Sequence, residues 1–370
     1  MTEKIRIAVI GSGHLGRFHA RLIGANTDFQ LVGVVDPLAD ARNALAQELH
    51  VAGFDSYQPL LDKIDAAVIA TPTEYHHRIG MELLLAGKHL LIEKPLAGNV
   101  SESDALVECA AAGNRILQVG HIERFNPAFL AVHNKIEHPK FIEACRFSGY
   151  SFRSTDIGVV LDLMIHDVDI ILSMVHARPI RVEAIGACVI GPQEDIANAR
   201  IVFEDGCIAN LSASRVSYDI VRKMHIWCPD SFIAVDYSDT TARVARPSEA
   251  LLRGDCDVQR LSLAEKQQAK QRFFDDWITV EKIAAEPCNA LDNELQDFAR
   301  AIKTASSPRV PGSAGRDAVA VCEQILVSLA HHAWDGQPHG DIDPQSTQEP
   351  ATIPVTPFGM IAPMPHRRAG

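Results

Sequence analysis

The first 122 residues alternate short apolar runs with longer stretches whose apolar positions recur at helical spacing. The runs at 5–10, 31–36, 66–71, 90–93 and 116–120 are apolar on both faces and too short for helices. Such runs predict central strands of a parallel sheet covered by helices. The intervening stretches at 14–23, 39–49, 76–86 and 102–112 predict those helices, with Ser101 and Asp104 suggesting a capped start for the last. Strand–helix alternation of this kind predicts a doubly wound parallel sheet, an α/β Rossmann domain over 1–122.

Beyond 122 the texture changes. Residues 160–175 predict one buried helix, and from 181 onward the apolar positions alternate, as in 198–203, 207–214, 224–227 and 232–237. Glu204-Asp205-Gly206 predicts a hairpin turn between the first two of these segments. The pattern predicts an α+β domain over 123–336 built on an open antiparallel sheet, with helices at 291–304 and 316–333 closing it. Residues 337–370 hold seven of the chain's 20 prolines and show no periodicity, which predicts a disordered tail.

Composition narrows the classes. Charges of 35 basic and 47 acidic residues give a net charge of -12, which argues against nucleic acid or an anionic membrane as partner. The eight cysteines are scattered singly with no C-x-x-C pair, so neither a metal site nor a dithiol motif is expected. With no secretory leader and no run long enough to span a bilayer, the expectation is a cytoplasmic protein with reduced thiols.

Four places carry chemistry. Gly11-Ser12-Gly13-His14-Leu15-Gly16 is a G-x-G-x-x-G turn between the first strand and first helix, where backbone amides and the helix N-terminus can receive a pyrophosphate. Asp36 ends the second apolar run, 20 residues past Gly16, and suits the ribose hydroxyls of NAD while repelling a 2′-phosphate. Glu93-Lys94-Pro95 ends the fourth run, placing a lysine in the ligand crevice at the carboxyl edge of a parallel sheet. Asp162 and His166 stand four apart on one face of the predicted helix, and a histidine there can take a proton near neutral pH. A core histidine held by a carboxylate fits the local sequence equally well.

Together with Thr71-Pro72-x-x-x-His76, these motifs resemble, in order, the Gfo/Idh/MocA oxidoreductases up to about residue 335. One departure is Met164, where the family commonly has glycine. The resemblance implies hydride transfer from a sugar or cyclitol carbinol to NAD. It implies His166 as general base, Lys94 at the reacting oxygen, and Asp162 binding substrate or orienting that group. Gly11, Gly13, His14, Leu15, Gly16, Asp36, Thr71, Pro72, His76, Glu93 and Lys94 would form the cofactor side. Gly120-His121-Ile122-Glu123-Arg124-Phe125-Asn126-Pro127 and the region of Arg215, Arg222-Lys223 and Val235-Asp236-Tyr237 are similar to the nucleotide-sugar branch, the UDP-N-acetylglucosamine 3-dehydrogenases. That branch implies Arg124, Asn126 and Arg215, with Asp162 and His166, as substrate contacts and a homo-dimer or homo-tetramer. The other readings are a free sugar or inositol-type dehydrogenase and, in a different class, a catalytically silent NAD-sensing regulator.

Overall fold

The computed structural model describes residues 3–152, 156–255 and 257–332, so the predicted tail at 337–370 lies outside the described residues. Its first sheet has six parallel strands in the order β3-β2-β1-β4-β5-β6. These are β1 Ile5–Ile10, β2 Phe29–Val35, β3 Ala52–Phe54, β4 Ala66–Ile69, β5 His89–Glu93 and β6 Leu117–Gly120. The central strands are apolar on both faces because both are covered. Ala8 and Ile10 of β1 join one core cluster while Ile7 and Val9 join the other. Helices α1 His14–Ala25, α2 Ala39–Leu49, α3 His76–Leu85 and α4 Val100–Ala112 connect the strands. Asn99, rather than Ser101, caps α4, its side chain accepting from the Glu102 amide at 2.9 Å.

After a short helix α5, Pro127–Leu130, the chain builds an eight-stranded sheet in the order β14-β13-β12-β11-β7-β10-β9-β8. Its strands are β7 Phe141–Phe147, β8 Pro179–Ala187, β9 Ile196–Phe203, β10 Ile208–Ser214, β11 Val221–Trp227, β12 Phe232–Asp236, β13 Thr241–Pro247 and β14 Ile278–Ile283. The expected hairpin is β9–β10, with Gly206 at φ 83° in its turn. The sheet is mixed rather than purely antiparallel, because β7 and β10 pair parallel at its centre. The chain leaves β7, forms a helix and two strands, and re-enters beside β7 in the same direction.

The predicted helix at 160–175 is not uniform. Val160–Met164 forms a π-helical turn that runs into α6, Ile165–Met174. Short helices α7 Glu249–Leu252 and α8 Leu263–Gln271 precede β14. The closing helices are α9 Ala290–Thr304 and α10 Gly312–His331. Leu295, Phe298 and Ala299 of α9 pack into the core of the first sheet beside Ile7 and Val9. Helix α10 contacts α4, α6 and β8, lying along the seam between the two sheets. No described helix is long and apolar enough to cross a membrane.

Candidate active site

A cleft of about 750 Å³ opens at the carboxyl ends of β1, β4 and β5. Its lining includes His14, Leu15, Thr71, Pro72, Glu93 and Lys94 from the first domain. Asp162, His166, Arg215 and Arg222 face it from the second. A wider groove of about 880 Å³ between α1 and α9 contains none of Lys94, Asp162 or His166. Lys94, Asp162 and His166, the residues expected to carry chemistry, therefore share the cleft between the sheets.

Lys94 follows the last residue of β5 and crosses the cleft. Its Nζ donates to the Asp162 carboxylate at 2.8 Å and to the Asp162 backbone carbonyl at 2.6 Å. The π-turn that carries Asp162 presents carboxylate and carbonyl together, and such turns recur at functional sites. His166, one turn on, is half-buried, and its Nδ1 atom is buried without a hydrogen-bond partner among the described residues. Burial first, then the cations Lys94 and Arg146, hold its pKa well below the usual histidine value, so the ring is neutral.

The glycine turn has the shape of a phosphate cradle. Gly11 has φ +100°, and a Cβ there would stand 2.3 Å from the Ala70 carbonyl oxygen. At Gly16 a Cβ would meet the Gly11 carbonyl oxygen at 1.8 Å, so only glycine lets α1 start this close to the strand. Around Gly13 nothing lies within 4 Å of that Cβ position. The turn is closed from beneath and open above, which fits the dinucleotide pyrophosphate. Asp36 accepts from the Ser12 amide at 2.7 Å and the Leu38 amide at 2.8 Å, tying the ribose-side carboxylate to the same turn.

Other expected site residues lie elsewhere. His76 is buried outside the cleft lining, its ring nitrogens 2.8 Å from the Pro95 carbonyl and 2.9 Å from the Thr71 carbonyl. It ties the loop after β5, with its cis Lys94–Pro95 bond, to the loop after β4. Arg124 and Asn126, expected as substrate contacts, are not among the residues lining the cleft. Arg124 donates to the buried Asp169 at 2.9 Å. Asn126 caps α5 and donates to Glu123 and to the Tyr237 carbonyl. Arg215 does line the cleft, but its guanidinium is held by Asp195 at 2.7 Å and by the Ile157 carbonyl at 2.7 Å.

Two features escaped the sequence reading. Arg146 is buried and bonds both Asp167 oxygens and Glu123, so the segment after β6 is braced to β7 and α6. Beneath Lys94, His19 donates to Glu93 at 2.7 Å, and the buried Glu294 of α9 adds a carboxyl whose oxygens have no partner. Donor atoms of these three residues lie within 4.8 Å of one another. Burial, then Glu93, pushes the Glu294 pKa well above the usual carboxyl value, whereas His19 and Lys94 keep Glu93 low despite its burial. The signal was available in part: Glu294 stands on the apolar stripe of Leu291, Leu295 and Phe298.

Comparison with known proteins agrees with this geometry. Residues 5–121 match the family model of the GFO/IDH/MocA oxidoreductases with an NAD-binding Rossmann fold, and residues 138–230 match the model of the GFO/IDH/MocA C-terminal domain. The UDP-N-acetylglucosamine 3-dehydrogenase of Acidithiobacillus ferrooxidans is 34% identical over 328 residues, 88% of this chain and 97% of that one. A solved structure of that enzyme superposes with a TM-score of 0.77 at 33% identity, over 89% of this chain and 98% of the other. The scyllo-inositol 2-dehydrogenase (NAD(+)) of Bacillus subtilis is 31% identical over 236 residues, 59% of this chain and 69% of that one. Levoglucosan dehydrogenase in complex with NADH and levoglucosan shares the fold, with a TM-score of 0.73 at 19% identity over 89% of this chain and 98% of the other.

Proposed function

The chain belongs to the Gfo/Idh/MocA family of NAD-binding oxidoreductases, and from that premise we propose that it oxidises the C3 hydroxyl of UDP-N-acetylglucosamine to the 3-keto sugar. The observation that carries this reading is the 34% identity along 97% of a relative named for that substrate and position. The cleft chemistry supports it. NAD, when bound, takes the hydride from the carbinol carbon. His166 faces the cleft as a neutral imidazole, the form that a general base must have. The Lys94 ammonium, aimed by the two Asp162 oxygens, supplies a positive charge and a donor to the oxygen that becomes the ketone. Asp162 thus acts as the residue that orients Lys94. Gly11, Gly13, Gly16 and Asp36 hold the cofactor at the edge of the cleft.

The test is to incubate the protein and NAD with UDP-N-acetylglucosamine, other UDP-sugars, free sugars and inositols, following NADH absorbance and identifying the 3-keto product. His166→Ala should lower kcat by roughly 100-fold, the scale of a lost general base, with NAD affinity unchanged. Turnover confined to inositols would transfer the reaction to the cyclitol class. NAD binding with no NADH formed from any member of the panel would instead identify a regulator.

A further inference from the structure

Three strands end at the cleft side by side, and each carries an arginine there. In the register, Arg146 of β7 stands opposite Arg222 of β11 and opposite Ala213 of β10, and Arg215 follows two residues after Ala213. Side chains on a strand alternate between faces, so the buried partners fix the direction. Ile142 and Ala144 put Arg146 on the core face, Leu211 and Ala213 put Arg215 there, and Met224 and Ile226 put Arg222 there. All three guanidinium groups therefore extend from the inner face of the sheet.

Their surroundings differ. Arg146 and Arg215 are both buried, and each is bonded to buried carboxylates or backbone carbonyls. Arg222 is exposed, lines the cleft with Lys94 and His166, and makes no side-chain hydrogen bond or ion pair among the described residues. The neighbouring Lys223 points to the opposite face and reaches Asp236 at 3.2 Å. Nearby carboxylates are already engaged: Asp167 and Glu123 by Arg146, Asp195 by Arg215, and Asp162 by Lys94. Asp156 shares the cleft without forming an ion pair with Arg222. An inward-pointing arginine left unpaired in a concave site contributes little to packing. Its planar fork of donors matches a phosphate bidentately.

We propose that Arg222 holds the diphosphate of the nucleotide sugar, and that Arg146 and Arg215 are structural. This rests on the UDP-sugar reading above and replaces the arginines that sequence reasoning had chosen. The cleft is then divided by chemistry, with Lys94 and His166 at the reacting hydroxyl and Arg222 at the anionic end of the same molecule.

The experiment uses UDP itself as the probe. UDP binding is measured by calorimetry for the unmodified protein, Arg222→Ala and Arg222→Lys in the presence of NADH, together with kcat and KM for UDP-N-acetylglucosamine. The expected result is a roughly ten- to hundredfold loss of UDP affinity and a matching rise in KM for Arg222→Ala, the scale of a hydrogen bond to a charged group. Its kcat and NADH affinity should stay near those of the unmodified protein, and Arg222→Lys should recover part of the binding. If the unmodified protein and Arg222→Ala bind UDP equally, Arg222 is not the diphosphate group, and the UDP-sugar reaction still stands. If the unmodified protein binds no UDP and turns over no UDP-sugar, both the assignment and the substrate reading fall.

Discussion

Replacing Glu294 by Gln should stabilise the protein, and the gain should grow with pH. Glu294 is fully buried, its two oxygens have no partner, and the negatively charged Glu93 lies beside it. Both effects favour the protonated carboxylic acid. In the folded state the group therefore keeps its proton above the usual glutamic pKa of about 4.3, while the unfolded chain releases it. The folded state then binds more protons than the unfolded one, so stability falls as pH rises through that window. The slope from this residue is at most about 1.4 kcal/mol per pH unit for as long as Glu294 stays protonated. Glutamine has nearly the same volume and carries no charge, so it removes the slope without opening a cavity. Between pH 5 and pH 8 the advantage of Glu294→Gln over the unmodified protein should grow by up to about 4 kcal/mol. The measurement is urea unfolding of both proteins across that range. A difference independent of pH, or a variant less stable at pH 8, would refute the argument and mean that Glu294 carries a charge in the folded protein. If a chelator then reproduced the loss in the unmodified protein, His19, Glu93 and Glu294 would be metal ligands.

Three further outcomes follow from the same geometry. Gly13→Ala should leave the melting temperature unchanged yet weaken NAD binding, since the added methyl occupies only open space in the cradle; Gly16→Ala should lose both stability and NAD binding, because its methyl would lie 1.8 Å from a backbone oxygen, and equal behaviour of the two in thermal melts and NAD titration would contradict the cradle. Arg124→Ala leaves the buried Asp169 without its partner and should cost about 3 kcal/mol of stability, with KM for the UDP-sugar unaltered in the folded fraction; a selective KM rise would restore Arg124 to the substrate site. Burial holds His76, His121 and His166 neutral in the folded state, so below about pH 6.5 the unfolded chain takes up protons that the native state does not, and stability should fall as pH drops; a flat urea midpoint between pH 7 and pH 5.5 would count against it.

What the sequence disclosed and what it hid divide along the range of the interactions. The glycine turn, Asp36, Lys94 and the strands that position them were legible because each depends on neighbours within a few residues. Edge strand β3 was not, since Ala52–Phe54 is three residues long and carries no apolar run. Neither was the parallel pairing of β7 with β10, because strand direction is set by a connection of some 60 residues rather than by local alternation. The uniform helix expected at 160–175 became a π-turn plus α6, for the hydrophobic pattern does not distinguish the two within one turn. The partners of Arg124 and Asn126 were hidden for the same reason. An arginine and an asparagine before a proline suit phosphate and sugar, and the carboxylate that captures Arg124 lies 45 residues away. Arg222 was visible as a residue but not as a cleft residue, because its direction follows from the register against Arg146.

The proposed reacting groups arrive from different domains, Lys94 from the end of β5 and His166 from α6, so their spacing is only as fixed as the seam between the domains. Each follows or precedes a buried carboxylate in sequence: Glu93 stands before Lys94 and Asp167 after His166. Glu93 is anchored by His19 with Glu294 of α9 beside it, and Asp167 is anchored by Arg146, which also grips Glu123 from the segment leaving β6. In each pair one residue faces inward and is locked, while its neighbour is presented to the cleft. Buried ion pairs stabilise a fold weakly compared with apolar packing, because desolvation offsets most of the attraction. Their contribution here is placement: they fix the backbone on both sides of a site that no single element could form. This also explains why three arginines gather at the strand ends with different fates. Arg146 ties the segment leaving β6 to α6, Arg215 is held within the second domain by Asp195, and the third, Arg222, is left facing the cleft.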